Sequence, residues 1–325
     1  MHFGMDTFIV FSLRMIFIII ILAFTYMTRG CFFMRKQWGY PLTAIALSSS
    51  LVFTGCGSNE SKTTSEVKPE AAAQSEQKTA AATTPELDAA IADYHKWVIE
   101  QTDLFVKATD GFTQAVKAGD IEAAKKQYAP ARMYFERIEP IAESLGDFDP
   151  WLDAREGDVP AEEWRGYHRL EKALWETKSV AGQEKIADQL LQDAKQLRVK
   201  VESVEIDPLM LVTGAVELLN EVSSSKVTGE EERYSHTDLY DFAANVQGAN
   251  EIFKVLQSSV ANKDPELAKE IELRFQELDQ ALAPYQKEQG YVLYTELTEP
   301  EVKKLSQALD ALAEPLSKMG TILGG

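Results

Sequence analysis

A chain of 325 residues with a formal charge of −18 has nothing to neutralise phosphates, which excludes nucleic acid as a ligand. Residues 1–55 carry Arg14, Arg29, Arg35 and Lys36 against Asp6, a net of +3 that leaves −21 for the rest; such acidity suits a cationic ligand, and it equally serves solubility alone. The two cysteines, Cys31 and Cys56, precede the body, so a disulfide or thiolate metal site is excluded there and any metal falls to His, Asp and Glu.

Residues 1–33 hold an apolar run, Phe8–Tyr26, long enough to span a bilayer. A complete signal begins at Met34, so this stretch reads as a mis-assigned N-terminal extension. Residues 34–56 form a lipoprotein signal: Arg35 and Lys36, then apolar Pro41–Phe53, then Phe53-Thr54-Gly55-Cys56, with Phe53 where that box usually has Leu. Cys56 is the expected lipidation site, which places the protein outside the cytoplasm, anchored to the membrane. Residues 57–84, rich in Ser, Thr, Ala, Glu and Lys without apolar periodicity, read as a disordered tether.

From Pro85 onward strand signals are absent and the chain reads as all-α. Thr84-Pro85 caps a first helix with Leu87, Ile91, Tyr94 and Val98 on one face. Gly119-Asp120 starts a second, expected to run to about Leu145 with Pro130 and Pro140 bending or interrupting it. After a Gly/Asp/Pro loop at 146–160, a third helix is expected behind Pro160 and a fourth over 182–203. Asp207-Pro208, Ser235, Asp264-Pro265 and Thr298-Glu299-Pro300 open four more. The reading is two adjacent four-helix bundles, 85–205 and 206–325.

His168 and Glu171, three apart on the third helix, share a face and form half of a metal site. Glu136, Glu139 and Glu143 line one face of the second helix and could complete it, or form a solvated stripe. Asp147, Asp149 and Asp153 on the loop are open to the same two readings, and Asp147 or Asp149 could simply cap or turn the chain. His236, near Asp238 and Asp241, is a further ligand or a packing residue. His95 reads as packing, and Trp97, Trp164, Tyr167 and Trp175 as bundle core. Iron, zinc, manganese or copper(II) would suit such oxygen and nitrogen donors.

Several blocks carry a family resemblance: Arg132–Glu143, Gly146–Pro150, Trp164–Trp175 and Tyr234–Ala249. In this order they resemble the EfeO/EfeM branch of the imelysin-like family, over essentially all of 85–325. The resemblance implies a fold of two four-helix bundles and a metal-binding G-x-H-x-x-E motif at Gly166, His168 and Glu171. It also implies service in ferrous-iron uptake, capturing Fe2+ or Fe3+ beside a membrane permease and a haem peroxidase. Many relatives carry an N-terminal cupredoxin domain; only the tether stands there in this chain, as in the short EfeM type.

Two other functions fit the sequence less well. A metallopeptidase would show H-E-x-x-H or H-x-x-E-H, but Arg169 follows His168 and Lys172 takes the place of the second His, so no enzyme is expected. A metal-dependent polysaccharide-binding surface protein is disfavoured because an acidic body repels acidic polysaccharide.

Overall fold

The computed structural model describes residues 84–224, 226–288 and 290–324. The extension 1–33, the signal with Cys56, and the tether before Thr84 lie outside the described residues, as does the Glu143 side chain. Among the described residues no helix is long and apolar enough to cross a membrane.

The described chain is all-α apart from one small hairpin. Helix α1 spans Pro85–Ala118, α2 Ile121–Glu136, α3 Phe148–Asp153, α4 Tyr167–Lys172 and α5 Glu184–Val201. Then come α6 Pro208–Ser224, α7 Asp238–Lys263, α8 Pro265–Leu282 and α9 Glu299–Gly324. The capping residues behave as their chemistry requires. Thr84 accepts from the Leu87 amide, Asp120 from Ala123 and Asp264 from Glu266 and Leu267, each satisfying N–H groups that a helix start leaves unpaired.

Helix α1 packs on α2 and α5, and α6, α7, α8 and α9 pack on one another. Helix α7 also lies against α1 and α2, so the core runs continuously through it. Its small residues Ala243, Ala244, Gly248 and Ala249 make this close approach possible. Aromatic residues fill the space around α1. Tyr167 stacks on Phe112 with centroids 5.4 Å apart, and its hydroxyl meets Thr109 Oγ1 at 2.8 Å. Tyr167 and Trp164 are core as expected, and Trp97 and Trp175 are half-buried against it. His95 Nε2 meets the Val201 carbonyl at 2.7 Å, a packing role at the end of α5.

Three expectations require correction. The second helix continues through Pro130 but stops at Glu136, and a separate 3-10 turn, Glu139–Leu145, follows. Pro140 is the cause: it has no amide to donate and disfavours helical backbone in the residue before it. The break is also gripped from both sides, because a Cβ on Gly248 would overlap the Arg137 carbonyl and one on Gly214 that of Pro140. The third helix does not begin behind Pro160. It starts at Tyr167 and relaxes after Lys172 into a π turn, Ala173–Thr177. Strands are not wholly absent: Gln286–Lys287 and Gly290–Tyr291 pair antiparallel after α8.

Candidate metal centre

The site grows from the start of α4. Gly166 has φ 90°, a conformation side chains other than hydrogen rarely adopt. A Cβ there would overlap the Leu152 carbonyl and come within 2.8 Å of that of Trp151. The glycine therefore lets α4 begin directly against the end of α3, which brings His168 to Asp153.

His168 is 1% exposed and both its ring nitrogens face carboxylates. Nδ1 lies 3.0 Å from Glu171 Oε2, one turn along the same helix. Nε2 lies 3.5 Å from Asp153 and 3.7 Å from Glu231. Nε2 makes no geometrically proper hydrogen bond, although it is fully buried. Glu171 is held in turn by the amides of Tyr234 and Ser235, at 2.9 and 2.7 Å from Oε1. One oxygen of each of Asp153 and Glu231 and one His168 nitrogen lie within 4.8 Å of one another, as do donor atoms of His168, Glu171 and Glu232.

Arg132 crosses the middle of this cluster. Its guanidinium pairs with Glu136 at 2.5 Å, Glu232 at 2.6 Å, Asp241 at 3.4 Å, and Asp153. The rings of Tyr128 and Tyr167 flank it, with centroids 6.0 and 5.9 Å from Cζ. A second buried cation, Lys226, donates to Glu136 Oε2 at 3.0 Å and to both Glu139 oxygens at 3.0 and 2.9 Å. Asn245 Nδ2 donates to the same two carboxylates.

Charge bookkeeping then decides the character of the site. Glu136, Glu139, Asp153 and Glu171 converge on Glu231, Glu232 and Asp241, so seven carboxylates meet Arg132, Lys226 and one imidazole. Arg155, a quarter exposed, adds a third permanent cation at the rim, 2.8 Å from Glu231. An ionised carboxylate buried without compensation costs several kcal/mol, so the shortfall must be met by protons or by a further cation. The titration behaviour says the same. Burial, then the neighbouring Glu171 charge, pushes Glu232 up to about 8. Burial raises Asp241 and Glu139 as well, against the pull of Arg132 and Lys226 respectively. Burial would raise Glu231 too, but Lys226 and the His168 contact outweigh it and hold it at about 2. Burial and Arg132 push His168 toward neutrality, and Asp153, Glu171 and Glu231 together overcome them and raise it well above its usual value.

A cavity of about 730 Å³ leads to this cluster from one side. Glu139, Asp149, Asp153 and Glu231 line its inner wall, and Glu217 and Glu221 of α6 stand on its flank. Glu139, Asp149 and Asp153 each offer an oxygen within 4.8 Å of the others. Burial, then the Asp153 charge, raises Asp149 to about 6.

Six of the residues expected from sequence thus come together: His168, Glu171, Glu136, Glu139, Asp149 and Asp153. Glu136, however, is bound to Arg132 and Lys226, the position of an internal counter-ion partner. His236 does not join them. It is half-buried at a turn with φ 59°, its carbonyl accepting from the Tyr294 amide at 2.8 Å, and it belongs to none of the clustered groups. Glu231 and Glu232 were missed, as were the cations Arg132 and Lys226. A run of three glutamates, Glu230-Glu231-Glu232, in the loop before α7 looks like ordinary surface; only its place just ahead of the Tyr234–Ala249 block could have drawn attention to it. Arg169 and Lys172 point to other partners, Arg169 donating to the Trp164 carbonyl and Lys172 to Glu156.

The fold and site together define an all-helical protein with a buried, carboxylate-rich centre built around one histidine. Residues 90–319 match the imelysin family. A protein of Staphylococcus haemolyticus (strain JCSC1435), named "Efem/EfeO family lipoprotein", is 41% identical over 286 residues, 86% of this chain and 98% of the relative. A protein of the same name from Staphylococcus aureus (strain NCTC 8325 / PS 47) is 44% identical over 243 residues, 73% of this chain and 86% of the relative. The chain belongs to the imelysin family and, within it, to the Efem/EfeO lipoproteins.

Proposed function

We propose that this protein is a lipid-anchored, extracytoplasmic iron-binding protein that captures Fe2+ or Fe3+ and hands it to a membrane iron permease, working beside a haem peroxidase. The reading rests above all on His168, a fully buried imidazole whose Nε2 faces Asp153 and Glu231 without a proper hydrogen bond. A metal held there would take Nε2 with Asp153 and Glu231, a mixed nitrogen and oxygen set that suits iron and also accepts zinc, manganese or copper(II). Glu171, anchored by two backbone amides, orients the ring from Nδ1, as a ligating histidine commonly requires. The acidic cavity draws cations toward the centre. Membership of a lipoprotein family supports the anchor at Cys56.

Calorimetry with Fe2+ under anaerobic conditions tests the reading. His168→Ala and Glu231→Gln should each weaken binding by at least about tenfold, the usual cost of losing one metal donor or its support. Equal affinity in both folded variants would exclude this centre. Delivery is tested separately by iron uptake in cells: loss of the protein should slow uptake through the permease, and His168→Ala should not restore it.

A further inference from the structure

Lys226 is 2% exposed, a place lysine occupies only when paired. Its ammonium engages both oxygens of Glu139, and Asn245 donates to Glu139 Oε2 as well at 2.7 Å. Yet Glu139 also belongs to the group with Asp149 and Asp153 that lines the inner wall of the cavity. A multivalent cation seated among those three oxygens would need an oxygen that Lys226 holds.

The two buried cations differ in how firmly they are fixed. Arg132 sits within α2, its planar guanidinium bonded to several carboxylates and flanked by two tyrosine rings. Lys226 is a point charge on a flexible stem. It stands on a three-residue turn, Lys226–Thr228, after the end of α6, and is bonded to Glu136 and Glu139. Withdrawing Arg132 would strand carboxylates on every side, whereas Lys226 leaves only Glu136 and Glu139, and Glu136 keeps Arg132.

Building on the metal-binding reading above, we propose that Lys226 is a displaceable place-holder: a multivalent cation entering through the cavity takes Glu139 from the Lys226 ammonium. The exchange follows from charge. A monovalent ion that displaced the ammonium would gain nothing, since one positive charge replaces another. A divalent or trivalent ion brings net positive charge into a cluster that is short of it. Lys226 thereby selects against the abundant monovalent cations. It also remains tethered beside the site as a competitor, ready to retake Glu139 when the cargo leaves.

Reductive methylation of lysines in the purified full chain, read by peptide mass spectrometry, tests this with Zn2+ as a redox-silent probe. Lys226 should be protected without metal and become labelled about tenfold faster once Zn2+ saturates the protein, because its ammonium is released from its buried pairing. The exposed Lys254 serves as the reference that should not change. Zn2+ bound with Lys226 still protected would overturn the proposal while leaving the His168 site standing. No Zn2+ binding in calorimetry would overturn both. As a second arm, Lys226→Met removes the competitor, and Zn2+ should bind about tenfold tighter. Equal or weaker binding in the folded variant counts against the proposal. Should that variant not fold, the labelling of the wild-type protein decides alone.

Discussion

Gly166 lies directly against the backbone carbonyl of Leu152, with no room between them for a Cβ. This contact joins the start of α4 to the end of α3, and through it His168 to Asp153. Gly166→Ala should therefore fail twice, through strain at φ 90° and through overlap with α3. We expect a loss of about 3 kcal/mol or more in urea denaturation. Any folded fraction should bind metal poorly, because the imidazole and Asp153 no longer meet. Wild-type affinity in a folded Gly166→Ala protein would show that the contact does not position the histidine.

Arg132 is the second point of leverage. Arg132→Met keeps bulk but leaves Glu136, Asp153, Glu232 and Asp241 without their common cation. Removing one partner of a buried ion cluster costs about 3–5 kcal/mol. The loss should be largest near neutral pH and shrink toward pH 5, where protons can substitute for the missing charge. Added divalent metal should recover part of it. A variant as stable as the wild type at pH 7 would mean that the carboxylates are already neutral there.

The pH dependence of the metal-free protein follows from the raised groups. Glu232 titrates near 8 in the fold against an ordinary 4.5, and Asp149 near 6 against 3.8. Between those values the folded chain holds more protons than the unfolded one, so stability falls as pH rises. Raised His168 acts with the same sign, its contribution full below 6.5 and lost as pH climbs through its folded value. Depressed Glu171 and Glu231 contribute stability that is lost only under acid, below their ordinary 4.5. Chemical denaturation of metal-free protein should show stability declining from about pH 5 to about pH 8. Metal affinity should climb over the same range, as binding expels protons. A flat stability profile would contradict this account.

Much of the scaffold was legible from local chemistry. Thr84, Asp120 and Asp264 announce helix starts because a side-chain oxygen beside an unpaired amide is a local interaction. His168 and Glu171 were legible because helical spacing alone puts them together. The late start of α4 was not, since Trp164, Tyr167 and Leu170 are all core and mimic a helical face, while Gly166 sets the boundary through a contact with α3 that no local pattern records. Glu231, Glu232 and Lys226 were illegible for a similar reason. They lie between α6 and α7, and only tertiary packing turns that polar stretch inward onto Arg132 and Glu139.

The proposed anchor gives a prediction independent of the centre. Cys56→Ser should release the protein from the membrane fraction, and intact mass of the wild-type protein should show a lipid on a chain beginning at Cys56. Membrane retention of Cys56→Ser would point to residues 1–33 as the anchor instead.

The participants in the centre are scattered from Arg132 to Asp241, drawn from α2, α3, α4 and α7, the turn at Glu139 and the connection between α6 and α7. No nascent fragment ending before Asp241 contains them all, and none of them grips an ion alone. Under the proposed function, loading would follow completion of the tertiary structure, so the compartment in which the chain folds would govern which ion it acquires. A protein folded outside the cytoplasm would sample the metals of its surroundings and bypass those of the cell interior.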